Sequence, residues 1–319
     1  MKKYFLFLII IFAFTITALH AQKKDVATID GYVKQLGPLD NLNVATIADT
    51  ITRNFADKYD KARAIFYWIA NNIEIDPKAT KGNDNKKSDP VDVVQLRKAT
   101  PTGFALLVQE MCSMANIRCL TADGYVKNNA NDINNKIDEI NHTWNVVQLG
   151  QSPEQWFYID AAKASGFTDA KMTSFTKLFT SEYFFANRAL FNLDHFPDNA
   201  AWQLGAGPKS LKEFYSLPVI SNAAYKYGLQ KPKPINGYVK TKANANTAFS
   251  FTYNDSIPIK NIFLIMGDEK RQLKSDPIDF KVNNGVISFN YKFKIADTYP
   301  VKIFADDKEL MQYYVEVDD

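Results

Sequence analysis

The stretch Arg97-Lys98-Ala99-Thr100-Pro101-Thr102-Gly103-Phe104-Ala105, RKATPTGFA, is where the reading of this chain turns. Thr100 is a good N-cap and Pro101 a good first helical residue: the threonine oxygen satisfies a free amide, and proline has no amide to leave unsatisfied. Phe104, Leu107, Val108 and Met111 recur on one helical face, which predicts a helix over 101–114. Downstream, NHTWN (141–145) presents His142 and WFYID (156–160) ends in Asp160. A helix N-terminus, then a histidine, then an aspartate is the order of a hydrolase triad. The helix dipole and free amides lower a thiol's pKa, and a carboxylate orients the imidazole. Yet the helix start is filled by Pro101, which has neither a nucleophilic group nor a backbone N–H to offer an oxyanion.

Outward from this stretch the pattern is helical first and extended later. NVATIADTITRNFADKYDKARAIFYWIANNIEID (43–76) carries two amphipathic patterns; in the second, Ala62, Ile65, Phe66, Ile69 and Ile73 recur at three- and four-residue steps. PKATKGNDNKKSDP (77–90) reads as a polar loop. IRCLTADGYV (117–126), NHTWNVVQLG (141–150) and QWFYIDAA (155–162) read as strands, the last two joined as a hairpin around GQSPEQ. Helices followed by antiparallel strands give an α+β class, not alternating βαβ units. In such a hairpin His142 opens one strand and Asp160 ends the other, so the two ends are neighbours. Residues 163–230 give no clear assignment, but their many aromatics predict packing against the first domain. LQKPKPINGY (229–238) reads as a linker and places a boundary near 233. Beyond it Phe249, Phe251 and Tyr253 alternate, as do Ile287, Phe289, Tyr291 and Phe293, and Met311, Tyr313, Val315 and Val317, which predicts a small immunoglobulin-like β-sandwich over 234–319.

The ends and the charge bound the rest. Met1-Lys2-Lys3, an apolar run over 4–19 and Ala21 predict a signal peptide over 1–21, so an exported protein with no membrane span after cleavage. Without Lys2 and Lys3 the mature chain has 36 basic and 35 acidic residues, which gives no footprint for nucleic acid. Two cysteines, Cys112 and Cys119, can pair in an exported chain or lie buried as small apolar groups. With two mature histidines far apart in sequence, they make no zinc signature, so neither metal nor cofactor is expected. His195, in DHFPDN, reads as structural. Thr100 and Thr102 carry hydroxyls beside Pro101, but adjacent helical residues point ~100° apart and a threonine hydroxyl needs strong base activation.

DKARAIFYWIANNIEID (60–76), RKATPTGFALLVQEMC (97–112), DGYVK (123–127), NHTWNVV (141–147) and WFYIDAA (156–162) together resemble the bacterial branch of the transglutaminase-like superfamily, whose core is papain-like. Tyr183-Phe184-Phe185, HFPDNAAWQL (195–204) and SLKEF (210–214) resemble the segment after the core in its kyphoscoliosis-peptidase-like branch, so the likeness spans roughly 44–218. The family's motif reads R-K-G-x-C-x-G-[YF]-A. Arg97, Lys98, Gly103, Phe104 and Ala105 match it, Ala99 takes the glycine position, and the catalytic cysteine falls on Pro101. The resemblance implies that His142 and Asp160 are residual triad positions, with Trp144, Thr100 and Thr102 beside them as binding residues. It implies a domain over 22–233 that has lost its nucleophile and binds peptide or a protein partner in the cell envelope. The alternatives are a displaced threonine nucleophile in a live enzyme and a structural envelope protein that binds through the sandwich.

Overall fold

A computed structural model describes residues 25–82, 88–135, 138–152, 155–169, 171–268 and 270–319. The expected signal peptide and its cut at Ala21 lie outside the described residues. No helix among the described residues is long and apolar enough to cross a membrane.

Three helices lead: α1 (Val26–Leu36), α2 (Val44–Thr52) and α3 (Lys58–Asn72), capped by Asp25, Asn43 and Asp57. On α3, Arg63 is buried and binds both oxygens of Asp30 on α1, at 2.8 and 2.6 Å, while its guanidinium lies over Phe66 and Phe184. A two-residue strand, β1 (Glu74–Ile75), follows. Residues 77–90, read as a loop, begin instead with a short helix, α4 (Pro77–Lys81). The reason is local: Asp76 caps it through the Ala79 amide and Pro77 opens it. The same chemistry, Asp89 then Pro90, starts α5 (Pro90–Leu96), and Thr100 then Pro101 starts α6 (Pro101–Met114) as the sequence predicts.

The Arg-Lys-Ala of the opening stretch joins these parts. Arg97 ends α5 in the left-handed conformation, φ 55°, and β2 (Lys98–Ala99) pairs parallel with β1. The Arg97 side chain donates to the carbonyls of Pro38 and Leu39 and lies 4.9 Å over Trp68. It therefore fixes the α1–α2 connection and a buried tryptophan of α3.

Strands β3 (Arg118–Val126), β4 (His142–Gln148) and β5 (Trp156–Ile159) form the expected antiparallel run. Helix α7 (Ala161–Ser165) follows, then the hairpin β6 (Gly166–Thr168) and β7 (Phe175–Lys177), then α8 (Arg188–Asp194). Strand β8 (His195–Pro197) closes the sheet in the order β5-β4-β3-β8. Segment 163–230 thus packs back on the first domain, with Tyr183, Phe191, Phe214 and Tyr215 buried. Helix α9 (Leu211–Ser216), β9 (Val219–Ile220) and α10 (Asn222–Lys226) lead onward.

The remaining strands are β10 (Gln230–Lys233), β11 (Tyr238–Lys242), β12 (Asn246–Thr252), β13 (Ile262–Met266), β14 (Leu273–Lys274), β15 (Phe280–Asn283), β16 (Val286–Lys292), β17 (Thr298–Ala305) and β18 (Lys308–Asp318). One sheet runs β10-β12-β16-β15 and the other β11-β18-β17-β13-β14, with β9 added beside β18. Two largely antiparallel sheets of this kind are consistent with a β-sandwich. Phe249 opposes Phe289 and Phe251 opposes Ile287, all buried, which is the period-2 pattern read from the sequence. Asn284 and Gly285, both at positive φ, make the tight turn between β15 and β16. Strand β10 pairs with β12, so the sandwich takes in residues that a division at 233 leaves to the first domain.

Gly124 shows how tightly the sheet is closed under the helices. A Cβ there would meet the Phe196 carbonyl at 2.3 Å and the Trp144 ring at 2.6 Å. Gly124→Ala should therefore cost about 1–3 kcal/mol and disturb the near-ultraviolet signal of Trp144. Gly31→Ala, in α1 with nothing within 4 Å of an added Cβ, should stabilise by roughly 0.5–1 kcal/mol. Urea titration of the two variants checks both signs.

Candidate functional site

The first turn of α6 lies against the start of β4. Asn145 on β4 donates to the Ala105 carbonyl at 2.9 Å, and Thr102 Oγ1 lies 3.1 Å from Thr143 Oγ1. Thr143 and Asn145 thus face α6, and by strand alternation His142 and Trp144 face the other side of β4, where His142 meets Asp160. At the other end of the hairpin Asp160 caps α7, its Oδ1 accepting from the Lys163 amide at 2.8 Å. Its Oδ2 lies 2.6 Å from His142 Nε2. With Nε2 on the carboxylate, Nδ1 is the nitrogen left for a base's role, the reverse of the serine-protease arrangement.

The structure adds a residue that the sequence reading set aside. His195, taken as structural, places Nε2 3.1 Å from the same Asp160 oxygen. Its Nδ1 lies 3.4 Å from Asp194 Oδ2 without making a hydrogen bond. Asp194 also accepts from the Tyr225 hydroxyl at 3.2 Å and lies 3.2 Å from that of Tyr183, whose proton has a shorter acceptor in Asn222 Oδ1 at 2.7 Å. The ring of His195 stacks on Phe191 at 3.8 Å. No sequence spacing revealed this, because His195 reaches the site through β8, which pairs across β3 and not along the chain. The one local signal was an aspartate immediately before a histidine in an aromatic segment.

Burial sets the charges. Desolvation alone would raise the Asp160 carboxyl, but the charge and hydrogen bond of His142, then those of His195, hold it well below the usual carboxylate range. Burial lowers His195 against the pull of Asp194 and Asp160. Burial, then the charge of Asp194, pushes the Tyr183 and Tyr225 hydroxyls well up, so both remain donors.

The hydroxyls beside Pro101 are committed elsewhere. Thr143 donates to Asp123 at 2.8 Å, so the Thr102 hydroxyl donates to Thr143. Thr100 Oγ1 accepts from the Gly103 amide and bonds Ser88. Neither hydroxyl bonds His142 among the described residues. Thr100 is buried as a helix cap and not displayed for a ligand. Trp144, expected among the binding residues, is 1% exposed, its ring packed against Phe191 and His195. Cys112 and Cys119 are free and buried. A hydrogen bond from Cys112, then burial, pushes the Cys119 thiol well up, so it is no thiolate.

The comparison with known families falls on this same frame: residues 45–161 match the transglutaminase-like superfamily core. They form a transglutaminase-like superfamily domain. The chain is 29% identical to the kyphoscoliosis peptidase of Mus musculus over 248 residues, 77% of this chain and 36% of that protein. It is 25% identical to Hillarin of Drosophila melanogaster over 184 residues, 53% of this chain and 22% of that one. A crystal structure of a TGase aligns over 46% of this chain and 35% of its own, at 17% identity and a TM-score of 0.28. The chain spans about a third of the length of the kyphoscoliosis peptidases it matches. The matched residues include α6 with Pro101 and the hairpin with His142 and Asp160; β8, which brings His195 to Asp160, lies beyond them.

Lys127, just past β3, borders this cluster. Its ammonium donates to the Phe214 carbonyl at 2.8 Å and sits 3.7 Å over the Phe214 ring. Burial lowers its pKa to about 7, against the opposing charges of Asp194 and Asp132. A free lysine titrates near 10.4, so between about pH 7 and 10 the unfolded chain holds a proton that the folded chain lacks. Stability from this residue therefore rises with pH across that window. The urea midpoint of the wild type should gain on that of Lys127→Met between pH 7 and 10; parallel curves would place the titration elsewhere.

Proposed function

We propose that this is an exported, catalytically silent transglutaminase-like protein that binds a peptide or a protein partner of the cell envelope. The observation that carries the reading is Pro101 at the first position of α6, at the place where the family motif puts its cysteine, while the histidine and aspartate at the other two triad positions remain hydrogen-bonded at 2.6 Å. The site keeps its base and the base's orienting carboxylate, and offers it no thiol. Cys112 stands about 16 Å along the helix from its start, at 1.5 Å per residue. Export rests on the leader-like segment over 1–21. A peptide as the bound class is supported by the printed name of the related kyphoscoliosis peptidases.

A displaced threonine nucleophile finds no support, because Thr102 gives its proton to Thr143 and Thr100 caps its own helix. Binding through the sandwich is harder to separate than the sequence division suggested. Gln312 on β18 accepts from the Ala130 amide at 2.9 Å, and β9 pairs with β18, so removing residues 234–319 would strip the first domain of its packing.

Incubation with a broad peptide library and amine donors should give no hydrolysis or crosslinking above background, while immobilised protein retains a subset of the peptides. Turnover that His142→Ala abolishes would overturn the reading. Pro101→Cys should keep the fold, since Thr100 still caps the helix. Its thiol should react with iodoacetamide faster than a free cysteine at neutral pH, because a helix N-terminus and the triad's imidazole favour thiolate. That rate advantage should disappear in Pro101→Cys/His142→Ala.

A further inference from the structure

We propose that His142, Asp160 and His195 bind one zinc ion. The three offer His142 Nε2, Asp160 Oδ2 and His195 Nε2, all within 4.8 Å of one another. No zinc signature is legible along the chain because the two histidines lie on separate strands far apart in sequence. The sheet order β4-β3-β8 and the hairpin bring both imidazoles to one carboxylate oxygen.

The hydrogen-bond inventory of His195 points to a cation. A neutral imidazole carries one N–H and one lone pair. His195 faces a carboxylate from each nitrogen, Asp160 at 3.1 Å and Asp194 at 3.4 Å, and the Asp194 side makes no hydrogen bond. In that neutral ring, whichever nitrogen holds the proton, the other turns a lone pair on a negative oxygen at a buried site. A metal held by Asp160 and the two Nε2 atoms removes the conflict. The His195 lone pair then binds the ion and Nδ1–H turns to Asp194. That carboxylate–histidine–metal arrangement is how bound imidazoles are usually fixed, and the Tyr225 hydroxyl holds Asp194 in turn.

The donor set and its surroundings suit zinc. Two imidazoles and a carboxylate are three protein ligands, which leave a fourth position for water. With zinc at about 2.0–2.2 Å from each, tetrahedral ligand atoms stand about 3.3 Å apart. The separations to Asp160 are 2.6 and 3.1 Å, so the rings would withdraw by less than about 1 Å. Asp160 Oδ1 is already engaged by the Lys163 amide, which keeps Oδ2 turned to the rings. Phe191 and Trp144 supply the apolar wall around His195.

This goes beyond catalytic silence and does not depend on it: peptide retention without zinc, or zinc without peptide, would separate the two. The full chain, stripped with a chelator, is titrated with Zn2+ by calorimetry and with Co2+ by visible absorption. One equivalent should bind with a Kd at or below about 1 µM, and Co2+ should show the bands of a four- or five-coordinate ion. His195→Gln should lose about 100-fold in affinity, and Asp194→Asn, which removes only the orienting carboxylate, about 10-fold or more. Should His195→Gln fail to fold by circular dichroism, the wild-type Co2+ spectrum and Asp194→Asn decide. Absence of stoichiometric uptake by folded wild type, or uptake that neither variant changes, would overturn the proposal.

Discussion

A buried carboxylate organises this protein. Asp160 is 1% exposed, and a charge so placed is tolerated only where every lone pair finds a donor. Its oxygens are met from three directions: the Lys163 amide of α7, His142 of β4 and His195 of β8. Satisfying one side chain therefore fixes the hairpin, the helix after it and the strand that closes the sheet. The ordering of residues 188–197 follows from the same demand, because α8 and β8 must deliver Asp194 and His195 together.

The motif around Pro101 has structural work that does not involve a nucleophile. Arg97 binds the carbonyls at 38–39 and covers Trp68, Ala99 is buried beside β1, Thr100 caps α6, and the Ala105 carbonyl takes the Asn145 amide. Each of these contacts is indifferent to what residue 101 carries beyond its backbone. Proline at the first helical position even suits the backbone, since its fixed φ is helical and its missing amide is one the helix leaves unpaired. A frame recognisable as transglutaminase-like is thus compatible with a site that has no thiol.

The two lobes share one apolar core that runs from Ile29 in the first helix to Val317 in the last strand. The proline-rich stretch at 229–238 reads as a linker because proline and glycine punctuate it, yet β10 within it is a sandwich strand. Composition reports local backbone preference; it does not report whether both sides of a segment are packed.

What the sequence by itself determined was local or nearly so: the Thr100–Pro101 helix start, the β4–β5 hairpin that places His142 beside Asp160, and the alternating strands after 245. Helix caps, turns and period-2 patterns act over a few residues, and a short hairpin brings its two ends together with little freedom. Tertiary structure decided the rest. His195 joined Asp160 because β8 crossed the sheet to pair with β3, a contact with no periodicity to announce it. Trp144, named beside the triad positions, packs inside against Phe191 and His195, because the space between β4 and α8 takes a large ring. The helix at 77–81 appeared in a stretch whose polarity read as loop, because Asp76 and Pro77 outweigh composition. Sequence pointed to His142 beside Asp160; only the packed sheet showed that the aspartate meets two histidines.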